Sequence, residues 1–370
     1  MLHYSSNKRT MNNLESYPPI LRHHHHHHQS PESDPNESNN DLIDDVAQDS
    51  GLDPSPVPVI DLECLEQEKE GFEEACKDWG LFRLVNHGIP LTLLKELQEQ
   101  AKELFSMPYE TKHDTCNESA SPITYFWGTP ALTPTGTALN RGPKNFNWVE
   151  GFDVPLGQLS KFQPHLPTLD SIRLLLMEYE RHLSRIATTI FKAMIKNLDL
   201  NNNNNNNNNM MNHSEECSPS YVSRETGMVR MYRYPPCTDT SIGWGMEVHT
   251  DSSVLSILNQ DDHVSALQFL KDDQWLTVKP LSNTLIVNLG DMMQAISNDR
   301  YKSVQHRVRV NKERERISIC YFVFPAEDAV IESPNYKPFT YNQFREQVQQ
   351  DIKALGYKVG LPRFKHSQHF

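Results

Sequence analysis

Apolar positions along this chain keep two different periods, one before and one after about residue 220. In the first part Leu93, Leu94, Leu97, Ala101, Leu104 and Phe105 recur at steps of three and four, which predicts a helix over 92–106. Ile172, Leu175, Leu176, Tyr179, Leu183, Ile186, Ile190 and Ile195 repeat the pattern and predict the longest helix, over 169–198. Gly71 to Trp79 is expected to be helical too. Short strands are expected over 58–62 and 81–85, and the breaker-rich stretch 111–143 is expected to be irregular. From Gly227 to Pro325 the pattern changes to short apolar or alternating pieces separated by turn residues. Strands are expected over 228–234, 254–258, 266–270, 275–278, 284–288, 303–310 and 317–324. Strands at this spacing, with no helical period between them, point to a β-sandwich or jelly roll. Helical spacing returns over 341–355. The expected fold is mainly β with flanking helices, a jelly-roll core preceded by a mixed α/β N-terminal region.

Composition adds the edges of this layout. Residues 1–56 are rich in Asn, Ser, Pro, Asp and His and poor in aromatics, so a disordered arm is expected there. His23 to His28 form a run of histidine that is either a tag or a native homopolymer. No recognisable linker flanks it, which favours native, and it is kept out of the site argument. Asn201 to Asn209 open an Asn-rich loop over 201–220, of a kind that loops tolerate at small entropic cost. The remaining divisions are an N-terminal region over 57–200, the jelly-roll domain over 221–327, and a C-terminal helix and tail over 328–370.

The net charge of −13 argues against nucleic acid and against an anionic membrane surface as partners. No apolar run approaches the roughly 20 residues that span a bilayer, and Met1 to Thr10 lack an apolar signal-peptide core. The 6 cysteines form no CxxC pair. Reduced thiols and a cytoplasmic or nuclear location are therefore expected. A monomer acting on a small molecule is the expectation for partners.

Four groups of residues could carry chemistry. His249-Thr250-Asp251 places an imidazole and a carboxylate on one side of an extended segment, a pairing that is weak alone. His306 lies on Val304-Gln305-His306-Arg307-Val308-Arg309-Val310, where Val304, His306, Val308 and Val310 share a face. Two histidines and one carboxylate can occupy one face of an octahedral metal and leave three positions open, the pattern of non-haem Fe(II) oxygenases. A zinc hydrolase could use the same ligands. Arg316-Ile317-Ser318 separates the two. Arg316, Ser318, Cys320, Phe322 and Phe324 share a face by period 2, and a buried guanidinium there needs an anion that its planar fork can grip. Tyr232 and Tyr234 share a face on an earlier strand, where one phenol could donate to the same anion.

Taken together these residues resemble the plant 2-oxoglutarate-dependent dioxygenases. The HxD…H triad, the Arg-x-Ser and the segment Met231-Tyr232-Arg233-Tyr234-Pro235-Pro236-Cys237 carry the likeness, with Pro58-Val59-Ile60-Asp61-Leu62 and Trp79-Gly80-Leu81-Phe82-Arg83-Leu84-Val85-Asn86-His87-Gly88 before them. It runs from about residue 56 to about 364, excluding the Asn tract. Within the family the chain is most similar to gibberellin oxidases of the 2-oxidising branch, through Tyr125-Phe126-Trp127-Gly128-Thr129-Pro130, Tyr301 to Val308 and Gly356 to Phe364. One departure is Tyr232, where the family has Asn.

The resemblance implies a double-stranded β-helix, or jelly roll. It implies Fe(II) on His249, Asp251 and His306, and 2-oxoglutarate on Arg316, Ser318 and Tyr234. It further implies O2 as oxidant, ascorbate as reductant, and 2β-hydroxylation of a gibberellin. Phe126, Trp127, Phe322 and Phe324 are candidates for an apolar substrate wall, while Trp79 and Asn86-His87-Gly88 are expected to be structural. Two other readings stand beside this one. The same chemistry could act on an auxin, a flavonoid or another specialised metabolite, or the chain could be a non-catalytic jelly-roll binding protein.

Overall fold

Strand Arg316–Phe324 shows how the molecule is layered. Ile317, Ile319, Tyr321 and Val323 enter one apolar core, shared with helices, while Arg316, Ser318, Cys320 and Phe322 face a cavity on the other side. Successive strand residues point to opposite faces, so a strand covered on both faces reads as a nearly continuous apolar run.

The computed structural model describes residues 13–22, 57–116, 121–128, 147–164, 166–203, 218–238, 244–260 and 263–366. Its strands are β1 (Val59–Asp61), β2 (Leu81–Val85), β3 (Thr124–Trp127), β4 (Glu150–Pro155), β5 (Ser223–Tyr234), β6 (Trp244–His249) and β7 (Leu255–Gln260). They continue with β8 (Leu267–Lys271), β9 (Gln274–Thr277), β10 (Leu285–Leu289), β11 (His306–Arg309), β12 (Arg316–Phe324), β13 (Val330–Ser333) and β14 (Tyr336–Thr340). A major sheet of 8 strands runs β1-β2-β10-β7-β12-β5-β4-β3, a minor sheet of 4 runs β6-β11-β8-β9, and β13 and β14 form a hairpin. One face of the major sheet carries Phe82, Leu84, Val287, Ile257 and Met231 into the helix-side core. The opposite face packs Leu81, Ile286, Tyr232 and Tyr234 against Leu267, Phe269 and Val308 of the minor sheet. This is the jelly roll with flanking helices that the strand spacing predicts.

The helix Leu91–Ser106 buries Leu93, Leu94, Leu97, Ala101, Leu104 and Phe105, the six positions its period selects. The helix Pro167–Asn203 covers the predicted 169–198 and continues a few residues into the Asn tract. The rest of the expected 201–220 loop, apart from a helical turn at Ser218–Tyr221, lies outside the described residues. The helix Tyr341–Leu355 opens with a capping box between Thr340 and Gln343, which satisfies two end amides reciprocally. No helix among the described residues is long and apolar enough to cross a membrane.

Four expectations need correction. Residues 13–22, placed in a disordered arm, are ordered as a 3-10 turn (Leu14–Ser16) and a short helix (Pro19–Arg22). Tyr17 is buried there, with its ring 5.7 Å from Trp127 and 6.5 Å from Trp148. The remainder of the arm, His run included, lies outside the described residues. The stretch expected to be irregular contains the helix Tyr109–Cys116 and β3, while β4, β6 and the short helix Asp291–Ile296 were not expected at all. The division at 200–220 is not spatial, because β1 to β4 complete the sheet that β5, β7, β10 and β12 build. Finally, the C-terminal part adds the hairpin β13–β14 to its helix.

A charged cluster lies on the helix side of the major sheet. Glu150 on β4 accepts from Lys112 Nζ at 2.7 Å, from Arg233 Nη1 at 2.7 Å and from the Tyr125 hydroxyl at 2.5 Å. Lys112 Nζ also donates to the carbonyls of Ser16 (3.0 Å) and Phe105 (2.9 Å), so the cluster pins the N-terminal segment down. Burial lowers the pKa of Lys112 against the pull of Glu150, and both side chains are fully buried.

Candidate metal centre and its cavity

Strands β6 and β11 pair antiparallel with His249 directly opposite His306. Side chains opposite each other in such a pair are neighbours, which explains how residues far apart in sequence meet. Their ring centroids are 4.2 Å apart, with 54° between the planes. Asp251 follows just after β6, in a turn held by amides from the far side. Asp291 N donates to Asp251 O at 2.8 Å, and Met292 N to Ser253 O at 3.1 Å. This close approach needs glycine at position 290, where a Cβ would stand 2.0 Å from Ser253 O.

Asp251 Oδ1 lies 3.6 Å from His306 Nε2 and 3.9 Å from His249 Nε2. Its other oxygen, Oδ2, accepts from Asn288 Nδ2 at 2.7 Å. Each histidine places Nδ1 against a main-chain carbonyl, His249 on Glu247 O at 2.8 Å and His306 on Val304 O at 3.2 Å. A carbonyl only accepts, so Nδ1 carries the proton and the Nε2 lone pairs face the Asp251 carboxylate. Burial, and then His306 beside it, hold the His249 pKa down, so this imidazole is neutral. Burial works against the Asp251 charge, but His306, His249, Ser256 and Asn288 outweigh it, and its pKa is lowered. The three donor atoms lie within 4.8 Å of one another, the one such group of His, Cys, Asp or Glu found among the described residues. Two neutral nitrogens and one carboxylate oxygen, with their hydrogens turned away, fit a divalent metal. By donor type alone both iron(II) and zinc qualify.

The second polar point of the cavity is Arg316, only 2% exposed. Its register partner on β5 is Tyr234, and Ser318 pairs with Tyr232 on β5 and Gln260 on β7. Nη1 donates to Ser318 Oγ at 3.3 Å and Nη2 to Gln260 Oε1 at 3.1 Å, while the guanidinium sits 5.3 Å from the Tyr234 ring centre. Both acceptors are neutral oxygens, and these bonds orient the fork. Burial pushes the Tyr234 pKa up to about 12, which keeps the phenol protonated and able to donate. Its ring packs close to β6 where residue 245 is glycine; a Cβ there would be 2.6 Å from Tyr234 Cδ1.

Both polar points open into one cavity between the sheets, about 530 Å³ including its mouth. Leu81, Met246, Leu258, Leu267, Ile286, Val308 and Phe322 supply its apolar wall. Among the substrate-wall candidates, Phe322 lines the cavity. Phe126 stands one layer back, edge-on to Tyr232 at 6.3 Å. Trp127 does not belong to this wall, since the next residue in a strand points to the other face and its ring packs on Tyr17 and Trp148. Phe324 lies past a register shift and stacks on Tyr341 at 4.8 Å instead. Tyr232, the departure from the family pattern, lines the cavity and its hydroxyl accepts from Arg230 Nη1 at 3.3 Å. His87 sits in a turn, where its Nδ1 accepts from Ile89 N at 3.1 Å.

Sequence reasoning missed Asn288, Ser256 and Gln260. Asn288 and Ser256 had a legible signal, a polar residue at a cavity-facing position of a strand buried on both faces. Gln260 had none, because its role depends on the neighbouring strand's register.

Comparison with known proteins gives two family matches. Residues 225–325 match the 2OG-Fe(II) oxygenase superfamily, and residues 57–164 match the non-haem dioxygenase N-terminal region described for morphine synthesis. Gibberellin 2-beta-dioxygenase 8 of Arabidopsis thaliana is 36% identical over 320 residues, 83% of this chain and 86% of that one. Gibberellin 2-beta-dioxygenase 6 of Oryza sativa subsp. japonica is 34% identical over 324 residues, 84% of this chain and 86% of that one. Among solved structures, JOX2 in complex with 2OG, Fe and JA superposes with a TM-score of 0.68 at 29% identity, covering 86% of this chain and 91% of JOX2.

Proposed function

The chain belongs to the 2OG-Fe(II) oxygenase superfamily and is a 2-oxoglutarate-dependent dioxygenase; from that premise we propose that it hydroxylates a gibberellin at the 2β position. In this reading His249, Asp251 and His306 hold Fe(II), and Arg316, Ser318 and Tyr234 grip the distal carboxylate of 2-oxoglutarate. The observation that carries it is the shared cavity. The three metal donors and the buried guanidinium face the same space, one at each polar point.

When bound, iron and 2-oxoglutarate supply oxidation of an aliphatic C–H bond by O2, coupled to conversion of 2-oxoglutarate into succinate and carbon dioxide. The protein's own part is positioning and exclusion of water. The Arg316 fork and the Tyr234 phenol donate to a carboxylate in a fixed plane. Asn288 donates to Asp251 Oδ2 and so orients the carboxylate that would hold the metal beside the two histidines. Phe322, Leu258 and Ile286 offer an apolar surface to a compact hydrocarbon skeleton. The gibberellin assignment is supported by the two gibberellin 2-beta-dioxygenases above, each similar over more than four fifths of its length. A second reading keeps the chemistry and changes the substrate to JA, and the likeness to JOX2 in complex with 2OG, Fe and JA supports it.

Purified protein with Fe(II), ascorbate and 2-oxoglutarate, offered gibberellins, an auxin and JA, should form succinate and a product one oxygen atom heavier with a gibberellin. Turnover confined to the other acids would sink the gibberellin assignment. Arg316→Met should raise the 2-oxoglutarate concentration for half-maximal succinate formation by about 30-fold or more. Truncating one partner of a buried charge pair costs about 2–5 kcal/mol, and each 1.4 kcal/mol is about tenfold. Metal affinity without 2-oxoglutarate should stay as in the unaltered protein. An unchanged 2-oxoglutarate requirement would remove Arg316 from that role.

A further inference from the structure

Of the three proposed metal ligands, Asp251 alone stands outside a strand. Its position must therefore be fixed by contacts other than a ladder, and the C-terminal segment provides them. Lys358 Nζ donates to Thr250 O at 2.9 Å, to Thr250 Oγ1 at 3.2 Å and to Ser252 Oγ at 3.0 Å. It also pairs with Asp291 Oδ2 at 2.7 Å. Thr250 and Ser252 are the two neighbours of Asp251, and the amide of Asp291 is the group that donates to Asp251 O. One ammonium thus ties the chain before the ligand, the chain after it and the helix start behind it. A lysine serving solubility would face water, whereas this side chain is 18% exposed and its Asp291 partner 5%. After the helix Tyr341–Leu355 the chain turns at the left-handed Gly356 (φ 82°) before it reaches Lys358.

We propose that Lys358 is a positioning residue that fixes the backbone on both sides of Asp251 and so sets the affinity of the His249–Asp251–His306 group for its metal. The proposal rests on the reading of those three residues as ligands. Groups one step removed from a metal commonly change its affinity by about 10–100-fold when removed, because they hold the ligand in place. The competing role is a staple that only secures the chain's end. That role would lower the melting temperature and leave the metal site alone.

The test uses full-length metal-free protein titrated with cobalt(II), followed by visible absorption, beside thermal melting of the same samples. Lys358→Met should weaken cobalt binding by about 10–100-fold. Ser252→Ala should weaken it less, and adding Ser252→Ala to Lys358→Met should cost little more, because both strip the same contact. Unchanged cobalt affinity in Lys358→Met, whatever its melting temperature, would overturn the proposal, and so would full additivity of the two substitutions. If Lys358→Met does not fold, Thr250→Val with Ser252→Ala removes the two hydroxyl acceptors from an intact lysine and leaves Thr250 O and Asp291 in place; a smaller loss of cobalt affinity is then expected, and an unchanged affinity overturns the proposal. His249→Ala separates the two levels of argument. If it binds cobalt as tightly as the unaltered protein, the ligand assignment fails and the proposal with it. If His249→Ala loses cobalt while Lys358→Met keeps it, the ligand assignment stands and the role of Lys358 alone is refuted.

Discussion

Asp251→Ala should leave a folded protein that no longer forms succinate from 2-oxoglutarate. The carboxylate supplies the only negative charge of the three-donor group. Without it two imidazoles, of which His249 is held neutral, would face a divalent cation alone. A lower bound on the loss comes from groups that merely orient ligands, whose removal already costs about 10–100-fold in metal affinity. A ligand itself should cost at least the upper end of that range. The fold should survive, because the bond from Asp291 N is to the main-chain oxygen of Asp251 and needs no side chain. Cobalt titration and succinate release check the two halves separately. Full turnover by the variant would remove Asp251 from the site.

Glu150→Ala should have the largest effect on stability, with the cavity left intact. Glu150 is fully buried and answers both Lys112 and Arg233. Removing one partner from a buried pair leaves uncompensated charge and costs about 3–5 kcal/mol. For a domain of this size that corresponds to a melting temperature lower by on the order of 10 °C. Glu150→Gln, which keeps the volume and one acceptor, should lose less. Thermal unfolding with and without 2-oxoglutarate is the measurement. An unchanged midpoint would mean that the two cations are satisfied by other groups.

Much of this arrangement was legible because it follows from period. The helix 92–106 and its six buried positions come directly from spacing, and so does the face shared by Arg316, Ser318, Cys320 and Phe322. The metal group was legible through residue type and resemblance. What brings His249 to His306 is the β6–β11 register, and register is a property of two segments that no single segment displays. The same reason hid Gln260 and Lys358, whose roles exist only once distant parts of the chain meet. The N-terminal segment failed for another cause. Its composition is that of a disordered arm, and one tyrosine, a carbonyl and a lysine nearly a hundred residues away decide otherwise. Trp127 failed through parity, as the neighbour of a cavity-side residue. Tyr232 is explained as a cavity wall, but nothing in the structure says why it replaces Asn.

The two-faced strand has a consequence for how such a protein can diverge. On β12 the odd positions hold the helices and the even positions from Arg316 to Phe322 form the chamber. Substitutions at Cys320 or Phe322 can reshape what the chamber accepts while Ile319, Tyr321 and Val323 keep the scaffold together. Inheritance of the fold and selection of the substrate thus act on interleaved letters of one short word. A lineage could retain every letter of one set and rewrite the other, so that high similarity along this strand is compatible with a different guest.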